Sequence, residues 1–216
     1  MARWEPDARG RLEKAAMDLF IERGYEHTTV GDIAARADLA ERTFFRYFAD
    51  KREVLFSGSK ELEKSILDHI AAAPPGLPPL DVLAAAYASA GAGIESSRAI
   101  EYVRARYALV TRHAEIQERE LIKLASLAVA TSTALVARGV PAPTAGLAAE
   151  LGIAIFKLGF ERWATSRTPR DFAGHVRAAL ADLRDLAARA PARDVSDRPA
   201  PPGRSPRRAR SRRQPT

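Results

Sequence analysis

Proline placement constrains this chain more than any other feature. Pro74-Pro75 with Pro78-Pro79, Pro141 with Pro143, and Pro169 divide Ala-rich segments of helical period. Proline cannot donate within a helix and biases the residue before it to extended backbone, so each cluster marks a boundary. Between these boundaries no stretch alternates with period two, and β-branched runs are scarce. The expectation is an all-α chain. Its helices span about 8–23, 30–37, 41–48, 51–72, 79–95, 98–112, 114–138, 143–166 and 169–189.

The first helix is the most legible. Leu12, Ala15, Ala16, Leu19 and Phe20 repeat at i, i+3, i+4, i+7 and i+8, and Gly24 follows as a left-handed stop. Thr28-Thr29 supply cap hydroxyls for the next helix, with Asp32 in its first turn. Asp50 with Glu53 has the spacing of a capping box at the start of 51–72.

The chain lacks Cys, which excludes a disulfide scaffold, a zinc–thiolate site, an iron–sulfur cluster and a cysteine nucleophile. The four histidines are dispersed, and there is no nucleophile elbow or phosphate-binding Gly-rich loop. No enzyme, metal site or cofactor is expected. The longest apolar stretch, 124–137, is shorter than the roughly 20 residues a spanning helix needs, so a soluble cytoplasmic protein without a membrane contact is expected.

Charge needs dissection. The 34 Lys+Arg against 27 Asp+Glu give a net +7, and the nine Arg and two Asp from Arg189 to Thr216 account for all of it. Residues 1–188 therefore balance. The Arg- and Pro-rich segment 191–216 has too little apolar surface to offset ordering and reads as a disordered tail. It is either a loose contact for DNA or a solvated end.

Residues 30–48 have the dimensions of a helix-turn-helix, with Asp38-Leu39-Ala40 between two short helices. In the second helix Phe44 and Phe48 are i, i+4 neighbours that should face the core. Arg42, Thr43, Arg46 and Tyr47 then lie on or near the outer side, the arrangement of a recognition helix. Lys51 follows close by, where an ammonium can meet a phosphate.

The run Gly24-Tyr25-Glu26-His27-Thr28-Thr29-Val30-Gly31-Asp32-Ile33-Ala34, continued by Arg42-Thr43-Phe44-Phe45-Arg46-Tyr47-Phe48-Ala49-Asp50-Lys51, resembles the DNA-binding domain of the TetR family. The resemblance covers about residues 8–55. It implies a helix-turn-helix domain over 1–52, a helical effector-binding and dimerisation domain over 53–190, and the tail 191–216. It implies a homodimeric regulator, typically a repressor, that binds a palindromic operator in double-stranded DNA and is released by a small-molecule effector. By the same resemblance Thr29 caps the second helix and touches phosphate. Glu41, Arg42 and Thr43 begin the groove-facing helix, and Tyr47 and Lys51 match phosphate-contacting positions. Phe45 stands where the family often has Tyr, so it is expected to pack or to touch a thymine methyl. Arg46 could reach guanine or phosphate. Asp38 replaces the family's turn Gly, and Ala40 replaces its capping Ser; an Asx-type bond from Asp38 is the candidate substitute cap.

The implied effector pocket draws Ile66, Tyr87, Tyr107 and Phe156, residues equally suited to ordinary core. Arg104, Arg106 and His113 read as a solvated face with nearby glutamates rather than an anion site. The implied dimer interface draws the stripe Ala149, Gly152, Phe156, Gly159 and Trp163, with Val176, Leu180 and Leu183 on the last helix. Glycine inside a helix costs about 1 kcal/mol against Ala, which calls for a close neighbour: a partner helix, or packing within the chain. The competing reading of the whole sequence is a helical adaptor whose Arg-rich tail is its only nucleic-acid contact.

Overall fold

The computed structural model describes residues 7–97, 99–167 and 171–189. The tail 191–216 and Pro169 lie outside the described residues. Among the described residues there are nine α-helices and no strand. They are α1 (Ala8–Arg23), α2 (Val30–Arg36), α3 (Glu41–Tyr47), α4 (Ser59–Ala72), α5 (Pro79–Ser97), α6 (Ile100–Arg112), α7 (Ala114–Ala137), α8 (Ala142–Thr165) and α9 (Phe172–Ala188).

Two differences from the sequence expectation have local causes. The helix expected over 51–72 is split: a 3-10 turn, Glu53–Phe56, precedes α4. Gly58 separates them with φ +85°, a conformation that ends one helix and starts another. The expected capping box is half made. Asp50 Oδ1 accepts from the N–H groups of Arg52 (2.8 Å) and Glu53 (3.2 Å), while the Glu53 carboxylate pairs with Arg119 instead. At the other end of the chain α9 starts at Phe172, behind Asp171 in left-handed backbone (φ 94°). Glu95 of α5 accepts from the N–H groups of Asp171 (3.1 Å) and Phe172 (2.6 Å) and fixes that start.

Two cores result. The first gathers α1, α2 and α3 around Leu12, Leu19, Phe20, Ile33, Phe44 and Phe48. This head core also takes in Val54, Leu55 and Phe56 of the 3-10 turn, beyond residue 52. Val110 and Ile116, from the α6–α7 junction, belong to this core too. The second core lies among α4, α5, α7, α8 and α9, with α8 touching α5, α6, α7 and α9.

The glycine stripe of α8 belongs to that second core. A methyl group at Gly152 would stand 2.8 Å from Leu83 Cδ1, and one at Gly159 within 3.0–3.2 Å of Val176. Phe156 lies 5.3 Å from the Tyr87 ring, and Trp163 5.4 Å from that of Phe172. Ala149, Val176 and Leu180 are buried, and Leu183 is half-buried against the same cluster. Within the chain these glycines admit α5 and α9.

Length and apolarity were also underestimated from the uninterrupted run alone. Both α7 and α8, 24 residues each, reach the length and composition of a membrane-crossing helix. In α8, 44% of the most apolar stretch is buried; in α7, 22%.

Candidate nucleic-acid interface

A seven-residue helix does not hold itself in water, so α2 and α3 need outside constraints. Thr29 supplies the first. Its Oγ1 accepts from Asp32 N–H at 3.1 Å, and Asp32 Oδ2 accepts from Thr29 N–H at 2.9 Å and from its hydroxyl at 2.6 Å. That reciprocal box satisfies two donors of the α2 N-terminus. The same bonds hold the Asp32 carboxyl below its ordinary range. Thr28 takes a different part: buried, it donates to Gly24 O at 2.9 Å and closes the α1–α2 turn. Gly24 itself has φ 86° and ψ 156°, a region open essentially to glycine.

At its other end α2 is gripped from α1. Arg11 Nη2 donates to Ala37 O and to Asp38 O, and Arg36 makes a forked pair with Glu22 at 3.0 and 2.7 Å. Asp38 adopts the left-handed conformation that the turn requires (φ 55°). The Asx cap expected from it is not made: its side chain is exposed, and α3 starts at Ala40 without a side-chain cap. The helix is anchored by Phe44 instead, fully buried and 5.3 Å from the ring of Phe48. That anchor orients the rest of α3 outward, with Glu41, Arg42, Phe45, Arg46 and Tyr47 exposed and Thr43 half-buried. Phe45 is 56% exposed and meets Phe44 edge-on. Arg46 stacks over Tyr47 at 4.9 Å and donates to its hydroxyl at 3.1 Å, so the two exposed side chains hold each other in place. Glu41 leans back: its Oε1 lies 2.6 Å from where a Cβ on Gly31 would stand, space that exists because residue 31 is glycine.

Lys51, expected at a phosphate-contacting position, is engaged within the head. Its Nζ donates to Tyr25 O (2.7 Å) and Thr28 O (3.0 Å) and sits 4.2 Å above the Tyr25 ring. Two of its three donors brace the α1–α2 turn to the end of α3. Arg52 is likewise paired, with Asp50 at 2.7 Å, and the pair lowers the Asp50 carboxyl. The exposed cations of the recognition helix are therefore Arg42 and Arg46.

Sequence reasoning missed the seam between the two cores. Arg106 Nε donates to Leu55 O at 2.7 Å, and its Nη2 pairs with Glu120 at 2.8 Å. Arg104 reaches Ala164 O (3.2 Å) and Ser166 O (2.6 Å). His113 Nδ1 lies 3.1 Å from Glu26, and its ring is 5.0 Å from that of Tyr25. These side chains were expected on a solvated face; they join α6 and α7 to the head and to the end of α8. Only their shared location on α6 hinted at it. Burial pushes the Tyr25 hydroxyl above its ordinary value. Two clefts of about 390 and 470 Å³ open along the same seam, between α1 and α6.

Of the residues drawn for a pocket, Ile66, Tyr87 and Phe156 are buried together in the second core, with Tyr107 half-buried against it. The Tyr87 hydroxyl is buried near Thr131, and burial pushes it up to about 12.

Comparison with known proteins places this geometry. Residues 12–57 match the family described as bacterial regulatory proteins, tetR family. The HTH-type transcriptional regulator TcmR of Streptomyces glaucescens is 38% identical over 79 residues, covering 37% of this chain and 35% of that protein. The uncharacterized HTH-type regulator YvkB of Bacillus subtilis is 39% identical over 61 residues, 27% of this chain and 32% of that one. The matches thus span about a third of these curated relatives. Likeness of fold extends further. A TetR-family regulator structure from Syntrophomonas wolfei superposes with a TM-score of 0.60 at 21% identity, over 84% of this chain and 95% of that one. The FadR regulator of Bacillus subtilis, solved with stearoyl-CoA, gives 0.56 at 17% identity, over 81% and 96%.

Proposed function

We propose that this chain, whose residues 12–57 match bacterial regulatory proteins of the tetR family, is a sequence-specific DNA-binding transcriptional regulator. In this reading it works in the cytoplasm as a homodimer on a palindromic operator and represses until a small-molecule effector releases it. The observation that carries it is the α3 surface: Arg42, Phe45, Arg46 and Tyr47 stand exposed on a short helix whose Phe44 is locked in the head core.

The roles follow from chemistry. Arg42 and Arg46 offer forked donors for guanine edges or phosphate, Phe45 an apolar surface for a thymine methyl, Thr43 a hydroxyl near the groove. Tyr47 donates to phosphate, and Thr29 stands beside the backbone at the start of α2. We assign Lys51 a double part, bracing the turn through two donors and leaving its charge and third donor for phosphate. Glu41 selects a cytosine amino group or repels a misplaced phosphate.

We propose the division at about Ser57, with the head before it and the sensing domain from α4 onward. The effector's place is the core of the second part, near Ile66, Tyr87, Tyr107 and Phe156. A neighbour of the same fold binds stearoyl-CoA; for this chain only the broad class, a small molecule, is carried over. Such a molecule acts by binding one head spacing more tightly than the other, since equal affinity shifts nothing.

Selection of bound DNA from random sequence, repeated over a range of salt, tests the reading. A two-fold symmetric site is expected, with binding weakened generally by Tyr47→Phe and changed in base preference by Arg42→Ala. Binding without a sequence preference, lost on deletion of 191–216 and kept by Arg42→Ala, would point to the adaptor reading.

A further inference from the structure

The charge excess of this chain sits at one end of it, and the fold fixes where that end is delivered. From Arg189 to Thr216 there are nine Arg, two Asp and no Lys, while residues 1–188 balance. Six of the ten residues from Arg204 to Arg213 are Arg, and none is acidic. Residues 190–216 lie outside the described residues, but the helix that leads into them does not. The start of α9 lies beside the last turns of α5: Glu95 accepts from the N–H groups of Asp171 and Phe172, and Gly91 faces the Phe172 ring. The later part of α9 lies beside the first turn of α5, where Arg184 donates to both Asp81 oxygens at 2.7 Å. The two helices are therefore antiparallel. The end of α5 leads to Ala99 and Tyr102, which line a cleft with Gly10 and Met17 of α1, so it is the end nearer the head. At 1.5 Å per residue the 17 residues of α9 carry the chain about 26 Å away from that end. Arg189 thus stands at the pole of the body away from the head.

We propose that residues 189–216 are a second, sequence-independent contact for the phosphate backbone of duplex DNA. Held at the pole away from the head, they join a molecule on its operator to a second duplex. The inference rests on the DNA-binding reading above and adds a partner site to it. Three observations favour duplex DNA. Arg offers forked donors that match phosphate and a charge that does not titrate, and the segment uses Arg alone among the cations. Its density suits a phosphate lattice: along extended chain six Arg in ten residues recur about every 5.5 Å, against a phosphate about every 3.4 Å of axis on each strand. Folding back onto the body gains little, because residues 1–188 are neutral overall and Asp81 and Asp182 are already paired at 2.7 Å, with Arg184 and Arg162. The direction of exit favours a second duplex over the first. The 27 residues 190–216 reach at most about 90 Å when fully extended, and a return along α9 alone uses about 26 Å of that.

The test offers the full chain, seated on a bead-bound duplex that carries its selected operator, a fluorescent duplex of scrambled sequence. Capture of the second duplex is expected at about 50 mM salt, its affinity falling about a thousandfold by about 200 mM as six phosphate contacts are lost. The joint variant Arg204→Gln, Arg207→Gln, Arg208→Gln, Arg210→Gln, Arg212→Gln and Arg213→Gln should lose capture. At the higher salt it should keep the operator affinity, the base preference and the circular dichroism of the wild type. Capture that survives this variant, or operator binding without capture, overturns the second contact and leaves the regulator reading standing. A gain in operator affinity on a longer duplex, lost in the variant and without capture, puts the contact on the same DNA and overturns the bridge. Polyglutamate that displaces the scrambled duplex as well as free DNA does overturns the phosphate assignment in favour of an acidic protein. A chain that selects no operator overturns the regulator reading and the bridge together.

Discussion

The head and the second core of this chain are both helical, yet they are held by different physics. In the head, α2 and α3 are too short to persist alone, and directional bonds to named backbone groups fix them: Thr29 with Asp32, Arg11 on Ala37 O, Lys51 on Tyr25 O and Thr28 O. In the second part, helices of 17 to 24 residues such as α5, α7, α8 and α9 are set by side-chain volume, with Gly91, Gly152 and Gly159 admitting neighbours and an aromatic chain from Tyr87 to Phe172 filling the middle. The contrast suits the proposed roles: a surface that is to read base edges cannot tolerate angular drift, whereas a core shaped mainly by volume can rearrange around a guest.

Substitutions can break this comparison. Phe44→Ala should have the largest effect, about 3–5 kcal/mol from the head, because it removes a fully buried ring. Hydrogen exchange should show α1–α3 opening while α8 stays protected; simultaneous loss of protection in both would deny them separate cores. Gly91→Ala tests the other side. Its methyl would stand 1.9 Å from Phe172 Cδ1, and overpacking of that kind costs about 1–3 kcal/mol. Thermal melts followed at Trp163, beside Phe172, should report it, with α3 unaffected.

Lys51→Met leaves two carbonyls without their charged donor and should cost the head about 1.5–3 kcal/mol. It should weaken DNA binding in all sequences alike. A variant with unchanged stability would return Lys51 to the simple phosphate contact read from the motif. Acid sharpens the same contrast. Asp32, Asp50 and Glu22, all in the head, are lowered by Thr29, Arg52 and Arg36 respectively. A lowered folded pKa adds stability above the unfolded value and loses it as pH falls through the folded one. The head should therefore weaken below about pH 4, before the second core, in circular dichroism and exchange followed together. The smallest effect is a gain. Asp38→Gly relieves left-handed backbone in the helix-turn-helix turn, and a modest rise in head melting temperature should follow without a change in base preference.

The same contrast explains what could be read from the sequence. Caps, the Phe44–Phe48 spacing and the left-handed turn at Asp38 are local, so neighbouring residues carry their signatures, and the head was legible almost residue by residue. What was missed there includes one local cap, the Asx bond expected from Asp38, and side chains whose partners lie far off: Lys51 reaches back to Tyr25, and Glu53 leaves its cap for Arg119. In the second part the long helices were legible from period and proline, but their facing was not. Glycines on α8 read the same whether a neighbouring chain or the chain's own α9 approaches. Apolar period on α7 likewise does not say which of its two faces is inward.

One further brace has a mechanical consequence. Arg138, just past α7, donates to Ile70 O (2.9 Å), Ala73 O (2.8 Å) and Pro74 O (2.8 Å), capping the far end of α4. Its near end follows Gly58, where the backbone turns with no side chain in the way. A rod pinned at one end and jointed at the other is a lever. At 1.5 Å per residue the 14 residues of α4 span about 21 Å, so each degree of tilt about Arg138 carries the joint roughly 0.4 Å. Small repacking beside Ile66 and Ile70 would thus emerge, enlarged, at the place where the head is hung.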